Sequence, residues 1–218
     1  MLTFDTFLQV LPVLGQGALL TLKFALLSAA VGLVAASVLA VFGISRLRVL
    51  VGLTRIYVSL MRGTPLLVQI FVIYYGLPAA GLELGPTAAG VIALSANVAA
   101  YMSETMRGAI EGVRREQWLA GYSLGLSRAQ TLRYVIAPQA LRAATPSLAN
   151  SLISLVKDTS LVSVITVTEL LRSAQELIAS TFLTLPLYLM AAAIYWIMCL
   201  VLEAVQGLIE RRLSRSSR

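Results

Sequence analysis

The sequence lacks histidine and has one cysteine, two lysines and few charged residues, which make up 12% of its 218 positions. With no imidazole and a single thiol, Cys199, the chain has no ligand set for a transition metal and no partner for an internal disulfide. Neither lysine follows a glycine, so the phosphate-binding loop of nucleotide hydrolases is absent. We therefore expect a chain that is not an enzyme and that holds no metal or cofactor of its own.

Long uncharged runs stand in place of the missing charge and predict membrane-spanning helices. Hydrophobic residues make up 58% of the sequence, which is more than one soluble core requires. Four uncharged runs, and a fifth interrupted only by Lys157 and Asp158, reach the roughly 20 residues that cross a bilayer as a helix. The sequence therefore predicts an all-α integral membrane protein with five transmembrane helices, in which residues 1–218 form a single transmembrane domain. The predicted spans cover residues 16–43, 57–78, 86–107, 144–167 and 183–207.

The placement of the basic residues predicts the orientation of these spans. Thirteen of the seventeen lysines and arginines lie after the first span, between the third and fourth spans, or after the last span. Because basic residues in short loops remain in the cytoplasm, we expect the amino terminus outside and the carboxyl terminus in the cytoplasm. The net charge of +7 is thus divided among separate loops, which argues against a nucleic-acid binder.

The cytoplasmic segment between the third and fourth spans, residues 109–143, is longer than a simple helix connection. Aromatic and aliphatic residues recur every four positions from Trp118 to Leu126. Gly125 interrupts this pattern, and a second apolar stretch ends at Pro138. The segment is predicted to form two short helices around a glycine. On spacing alone, the pair is either a docking element for another protein or an interfacial hairpin with snorkelling arginines.

This segment resembles the EAA loop of permease subunits in ABC importers. The family pattern is Glu-Ala-Ala, three residues, Gly, nine residues, and an apolar stretch that ends in Leu-Pro. The chain matches that pattern at Ala120, Gly125 and Pro138. It departs from the pattern where the family has Glu, Ala and Leu, at Leu119, Gly121 and Ala137. In the family the loop forms coupling helices that dock into a cleft of a separate ATPase subunit. The resemblance implies that the ATPase-coupling residues of this chain are Ala120, Gly121, Ser123, Gly125 and Leu126.

Other segments extend the resemblance over nearly the whole chain. Residues 62–69, Arg-Gly-Thr-Pro-Leu-Leu-Val-Gln, resemble the start of the second span in polar-amino-acid permeases. Residues 150–161 and 195–198 are especially similar to permeases of cystine importers. The resemblance implies a membrane-spanning permease subunit of an ATP-driven importer for polar amino acids. It implies L-cystine as the substrate, with arginine, histidine or glutamine as the alternatives.

The same resemblance implies the partners of the chain. Two permease chains, either two copies or one copy and a paralogue, would form the translocation pathway as a dimer. A dimer of ATP-binding subunits would hold ATP and Mg and hydrolyse the nucleotide. An extracytoplasmic solute-binding protein would deliver the amino acid. The implied location is the inner or plasma membrane of a bacterium, where the multi-pass chain contacts lipid.

Polar and ionisable side chains at bilayer depth mark the candidate substrate site, because such groups are costly there and usually face the bundle interior. One polar stripe follows the fourth span, at Ser147, Ser151, Ser154 and Asp158. A second stripe follows the third span, at Asn97, Tyr101, Glu104 and Gly108. Between the stripes, Glu104 or Asp158 would pair with the ammonium group of an amino acid, and Lys157 would pair with its carboxylate. The predicted substrate-binding residues are Thr64, Met102, Ser103, Glu104, Lys157, Asp158 and Ser160.

Structural roles and other protein classes remain as alternatives. Glu104 could instead pair with Arg107 at the interface, and Lys157 with Asp158 could hold the fourth helix to a neighbour. The Gly-Thr-Pro run at 63–65 could kink a helix without touching substrate. An ion-coupled secondary transporter would be expected to contain inverted repeats, which the five predicted spans do not show. A membrane assembly factor that uses only the loop would leave the intramembrane charges without a role.

Overall fold

The computed structural model describes residues 4–215, with side-chain surroundings for residues 6–211. This part of the chain contains helices and no β-strand, as the apolar runs predict. Two wider π-helical turns occupy Val72–Gly76 and Leu132–Ile136, and tighter 3-10 turns occupy Leu77–Ala80 and Thr159–Ile165. Within residues 4–215 the α-helices are α1 Phe4–Gly43, α2 Arg48–Gly63, α3 Leu66–Phe71, α4 Pro86–Glu111, α5 Arg115–Ser123, α6 Arg128–Thr131, α7 Ala137–Asp158, α8 Leu170–Thr181 and α9 Thr184–Arg215.

Three helical stretches of the described residues are long and apolar enough to cross a membrane. They are Thr6–Gly43, Arg128–Ile165 and Thr184–Arg211. The pair Arg48–Gly63 and Leu66–Ala80 would be a fourth span, broken by a bend of 108°. Length and apolarity therefore support three or four spans, whereas the charge gaps predict five. The difference concerns α4, which contains the predicted span 86–107 but does not meet the same criterion.

Helix α4 differs from the other predicted spans because it lies inside the bundle, packed against α1, α2, α3 and α7. A helix surrounded by protein does not need a lipid-facing apolar surface, so polar side chains are tolerated when they are hydrogen-bonded. The buried Ser95 hydroxyl donates to the carbonyl oxygen of Ser28 at 3.1 Å. The approach of α1 is close, since a Cβ placed on Gly32 would lie 2.5 Å from Cγ1 of Val98.

Helix α1 has 40 residues and is therefore about 60 Å long, twice the thickness of a hydrocarbon core. Its two halves serve different clusters of buried side chains. The first half buries Val10 and Leu14 against Leu170 of α8 and Leu187 of α9. The second half packs into the main core with α4 and α7. The opening residues of α1 are thus held by protein contacts with the last two helices.

A fully buried carboxylate, Glu169, joins these two regions at the start of α8. One of its oxygens accepts a hydrogen bond from the backbone N–H of Arg172 at 2.7 Å and caps the helix. The other accepts from the hydroxyl of Tyr195 in α9 and from that of Thr21 in α1, the latter at 3.4 Å. Burial raises the pKa of Glu169, and these hydrogen bonds oppose that shift. In the sequence, Glu169 only marks the end of an apolar run, so this role was not predicted.

Replacing this carboxylate with an amide, Glu169→Gln, is expected to destabilise the chain by about 1–3 kcal/mol. The cause is that the three groups around Glu169 donate hydrogen bonds, and a glutamine amide would turn an NH2 group towards one of them. The measurement is the melting temperature of the purified full chain in detergent. The matched control is Glu176→Gln on the same helix, where the carboxylate is 54% exposed and pairs with Arg172 at 3.0 Å. Equal melting temperatures for the two variants would contradict the role of Glu169.

Candidate functional site

The break between α2 and α3 forms one wall of the candidate site. Pro65 has no N–H to donate, so the helical ladder cannot continue through the Gly-Thr-Pro run, and Thr64 takes an extended backbone conformation. Two side-chain amides compensate for the lost bonds. Gln69 donates to the carbonyl oxygens of Met61 at 2.8 Å and Thr64 at 3.1 Å, and Asn97 of α4 donates to Met61 at 3.2 Å. The break predicted at residues 63–65 is therefore present and is fastened to α4.

A cavity of about 530 Å³ lies between this break, α4 and α7. Its only carboxyl or basic group belongs to Asp158, the last residue of α7. Amides and hydroxyls provide most of the remaining polar surface. The lining residues are Thr64, Pro65, Leu66, Asn97, Val98, Tyr101, Asn150, Ser151, Ser154 and Asp158. The space can therefore offer a carboxylate and several hydrogen-bonding groups to a small polar molecule.

The structure brings together part of the predicted substrate site in this cavity. Thr64 and Asp158 both line it, and each polar stripe contributes two or more residues, as helical spacing predicts. Asn150 also lines it, although the sequence argument did not single it out as a site residue. The sequence spacing could have identified Asn150, because it precedes Ser154 and Asp158 by four and eight positions and so shares their face of α7. Ser147, the first residue of the predicted stripe, does not line the cavity, so the α7 lining begins at Asn150.

Lys157 and Ser160 line a second cavity, of about 480 Å³, against α9. Adjacent residues on a helix point about 100° apart, so Lys157 and Asp158 face different spaces. The second cavity also contains Tyr195, Trp196 and the carboxylate of Glu203. Within residues 6–211 no ion pair joins Lys157 to Asp158. In this conformation the two charges do not form one ammonium-and-carboxylate clamp.

Glu104 faces a third cavity, of about 320 Å³, and its carboxylate is engaged by arginines. Arg107 donates to both of its oxygens, at 2.9 and 2.8 Å, and also reaches Glu111 at 2.7 Å. Arg62 lies 3.9 Å from the same carboxylate, with its guanidinium carbon 5.3 Å from the centre of the Tyr101 ring. This arrangement corresponds to the interfacial pairing that the sequence left open as an alternative.

Met102 and Ser103 lie on the opposite side of α4 from the first cavity. Met102 is fully buried in the main core, and Ser103 is 1% exposed and donates its hydroxyl hydrogen to the carbonyl oxygen of Ala100. Their position follows from the helical repeat, because Tyr101 already occupies the cavity side and the next two residues turn away from it. Neither residue lines the cavity that contains Asp158.

The loop between α4 and α7 forms a short helical hairpin from α5 and α6. Helix α5 ends in a Schellman motif, in which Leu126 N–H donates to the Gly121 carbonyl and Gly125 N–H to the Tyr122 carbonyl. Gly125 has a φ of 76°, a conformation that favours glycine. Ser127 then begins α6 with a reciprocal capping box to Gln130. The two short helices around a glycine are therefore present as the pattern predicts.

The hairpin is tight where the chain departs from the family pattern at Gly121. A Cβ at this position would lie 2.5 Å from Cγ2 and 2.9 Å from Oγ1 of Thr131, so a larger residue would push α5 away from α6. Two polar contacts fasten the hairpin to the membrane helices. Arg128 donates to the carbonyl oxygen of Ile44 at 2.8 Å, and Gln139 donates to the Gln117 side chain at 3.3 Å.

The hairpin exposes three large apolar side chains among charged and polar residues. Leu119, Tyr122 and Leu124 are exposed, and Leu124 is 79% accessible. Of the predicted coupling residues, Ala120, Ser123 and Gly125 are exposed, Leu126 is half-buried, and Gly121 is buried against Thr131. Such a cluster of exposed apolar side chains at the tip of a projecting hairpin is typical of a protein-binding surface.

Comparison with known proteins places this arrangement in a family. Residues 29–215 match the family model described as binding-protein-dependent transport system inner membrane component. The chain is 47% identical to the L-cystine transport system permease protein TcyB of Bacillus subtilis, over 94% of this chain and 88% of that protein. It is 40% identical to the glutamine transport system permease protein GlnP of Escherichia coli, over 93% and 94% of the two chains. The crystal structure of an amino acid ABC transporter with histidines superposes with a TM-score of 0.91 at 34% identity, over 97% of this chain and 99% of that one. The chain therefore belongs to the family of binding-protein-dependent transport system inner membrane components and is a permease of an amino-acid ABC importer.

Proposed function

We propose that this permease carries L-cystine and that the amino acid passes through the cavity between the α2–α3 break, α4 and α7. The observation that carries the proposal is the carboxylate of Asp158, which forms no ion pair within residues 6–211 and lines a cavity whose other polar groups are amides, hydroxyls and a tyrosine. A carboxylate without an internal partner favours an ammonium group, which every free amino acid has. The 47% identity with a permease named for cystine transport supports the choice of substrate.

Lys157 and Ser160 complete the proposed path from the neighbouring cavity. Cystine has two ammonium and two carboxylate groups, so a substrate of its length can place opposite charges in two adjoining spaces. Asp158 would hold one ammonium group, and Lys157 would meet a carboxylate once the helices move. In this proposal, Met102 and Ser103 support the cavity wall through core packing. Glu104 supports it through the arginine pairs that hold the end of α4.

The hairpin of α5 and α6 is proposed to bind the ATPase. Its exposed apolar tip fits a cleft on another protein, and its two contacts to Ile44 and Gln139 connect that tip to α1 and α7. Two permease chains, each a single domain of five spans with the amino terminus outside, would dock two ATP-binding subunits that carry ATP and Mg. A solute-binding protein on the outer side would deliver the substrate.

The substrate is tested by ATPase stimulation in the reconstituted importer with its binding protein. We expect cystine-loaded binding protein to raise the ATPase rate several-fold above the unloaded protein. Arginine, histidine and glutamine are offered in turn as controls. Stimulation by one of these amino acids and none by cystine would contradict the substrate assignment, although the permease role would stand.

A further inference from the structure

A lateral groove of about 460 Å³ lies apart from the proposed pathway, between α1, α4 and the start of α7. Its walls are almost entirely apolar, with Val41, Met106, Ile110 and Leu141 among them. Val41 and Leu141 are 51% and 57% exposed, so the groove opens to the surroundings of the chain. Its volume is within the range of about 300–1,000 Å³ that is usual for ligand sites. Its lining comes from the predicted cytoplasmic ends of the first and third spans and from the segment 109–143, which would place the opening at the cytoplasmic surface of the membrane, where lipid head groups lie.

A positive charge stands at one end of this groove. Arg133 is its only charged lining residue and is placed there by the π-helical turn that precedes α7. Its guanidinium lies 5.7 Å from the Tyr134 ring, and no acidic side chain of residues 6–211 pairs with it. Arg128, five residues earlier, donates its guanidinium hydrogen to the Ile44 carbonyl oxygen, just after α1. The groove therefore has a positively charged lining residue whose guanidinium has no acidic partner among residues 6–211.

We propose that this groove binds an anionic glycerophospholipid, with an acyl chain along the apolar walls and the phosphate on Arg133. A guanidinium binds a phosphate with charge-assisted hydrogen bonds, and basic sites between membrane helices are suited to anionic head groups. One basic side chain in an apolar, partly exposed groove matches one head group and one acyl chain. This inference rests on the groove and the family, and it is independent of the transported substrate.

The test uses the purified full-length chain, delipidated in detergent and titrated with phosphatidylglycerol or phosphatidylcholine of the same acyl chains. Native mass spectrometry counts the lipids that stay bound. We expect phosphatidylglycerol to bind about tenfold more tightly, and Arg133→Gln to remove that preference. Arg133→Lys should retain most of it, which controls for loss of folding. Arg142→Gln is the matched control, because Arg142 is exposed on α7 and does not line the groove.

A larger side chain in the groove wall tests the contact with the acyl chain separately from the contact of Arg133 with the phosphate. Ala137→Leu, on the wall, should weaken both lipids, whereas Ala143→Leu on the exposed side of α7 should weaken neither. The soluble head group glycerophosphoglycerol should not compete at equal concentration. Equal binding of the two lipids, an equal effect of Arg142→Gln, or full competition by the soluble head group would each overturn the proposal. If a groove variant changed the fraction of dimer in the mass spectrum and left lipid binding unchanged, the groove would be assigned to contact with a second copy of the chain. That result would also overturn the proposal.

Discussion

The Asp158→Asn variant is expected to lower amino-acid uptake by about 10- to 100-fold, mainly through a higher KM for transport. The change keeps the size of the side chain and removes its charge. A hydrogen bond to a charged group contributes about 1.5–3 kcal/mol, and each 1.4 kcal/mol is a factor of ten in affinity. Because Asp158 has the only ionisable carboxyl or basic group in its cavity, no neighbour can replace it. Uptake by the reconstituted importer, measured against substrate concentration, gives the KM.

Two variants make this result specific. Glu176→Gln removes the same charge from an exposed carboxylate of α8 that pairs with Arg172, and it should leave the KM within about twofold, since exposed ion pairs contribute little. Thr64→Val removes a hydroxyl of the same cavity that already donates to the Leu60 carbonyl oxygen and accepts from Gln69, so it should raise the KM by a smaller factor, about three- to tenfold. Normal kinetics in Asp158→Asn, with normal amounts of protein in the membrane, would show that Asp158 only holds helices together.

The Gly121→Val variant is expected to abolish substrate-stimulated ATPase activity while the chain still inserts into the membrane. The added side chain would begin 2.5 Å from Thr131, so α5 must move away from α6 and the apolar tip of the hairpin changes shape. Overpacking of this kind costs about 1–3 kcal/mol, which a four-residue helix cannot absorb without local rearrangement. The measurement is the ATPase rate of the reconstituted complex with loaded and unloaded binding protein.

A second substitution tests whether the clash is the cause. Thr131→Ala removes the two nearest of the three atoms that the new side chain would meet and leaves Cβ at 3.2 Å, so Gly121→Val with Thr131→Ala should recover part of the stimulation. The control is Gly52→Val in α2, where a Cβ has no atom within 4 Å. If Gly121→Val were stimulated like the unchanged chain, the hairpin would not be the site of coupling.

Much of this architecture was predictable because its causes are local. Apolar runs predict helices, and Pro65 predicts the break after α2 because it lacks an N–H. Gly125 predicts the turn of the hairpin because glycine tolerates a positive φ, and its φ in the structure is 76°. The cavity follows from the same kind of reasoning, since the polar stripes of α4 and α7 face it at the helical spacing.

The remaining site features depend on which helix faces which, and one sequence does not contain that information. The division of Lys157 and Asp158 between two cavities is set by where α9 packs. Met102 looked suitable by position on α4, yet the helix turns it into the core. Glu169 lies at the end of an apolar run, and its partners Thr21 and Tyr195 are separated from it by 148 and 26 residues.

The helical run Arg128–Ile165 acts as one rigid rod that contains both α6 of the hairpin and Asp158. This continuity has a mechanical consequence. From Arg128 to Asp158 this rod is about 45 Å long at 1.5 Å per residue, with the α1 contact through Ile44 near one end. A tilt of a few degrees about that contact would displace Asp158 by two or three ångströms, which is about the length of one hydrogen bond. Under the proposed function, a lever of this length would convert a small movement of the hairpin into the release of an ammonium group from Asp158.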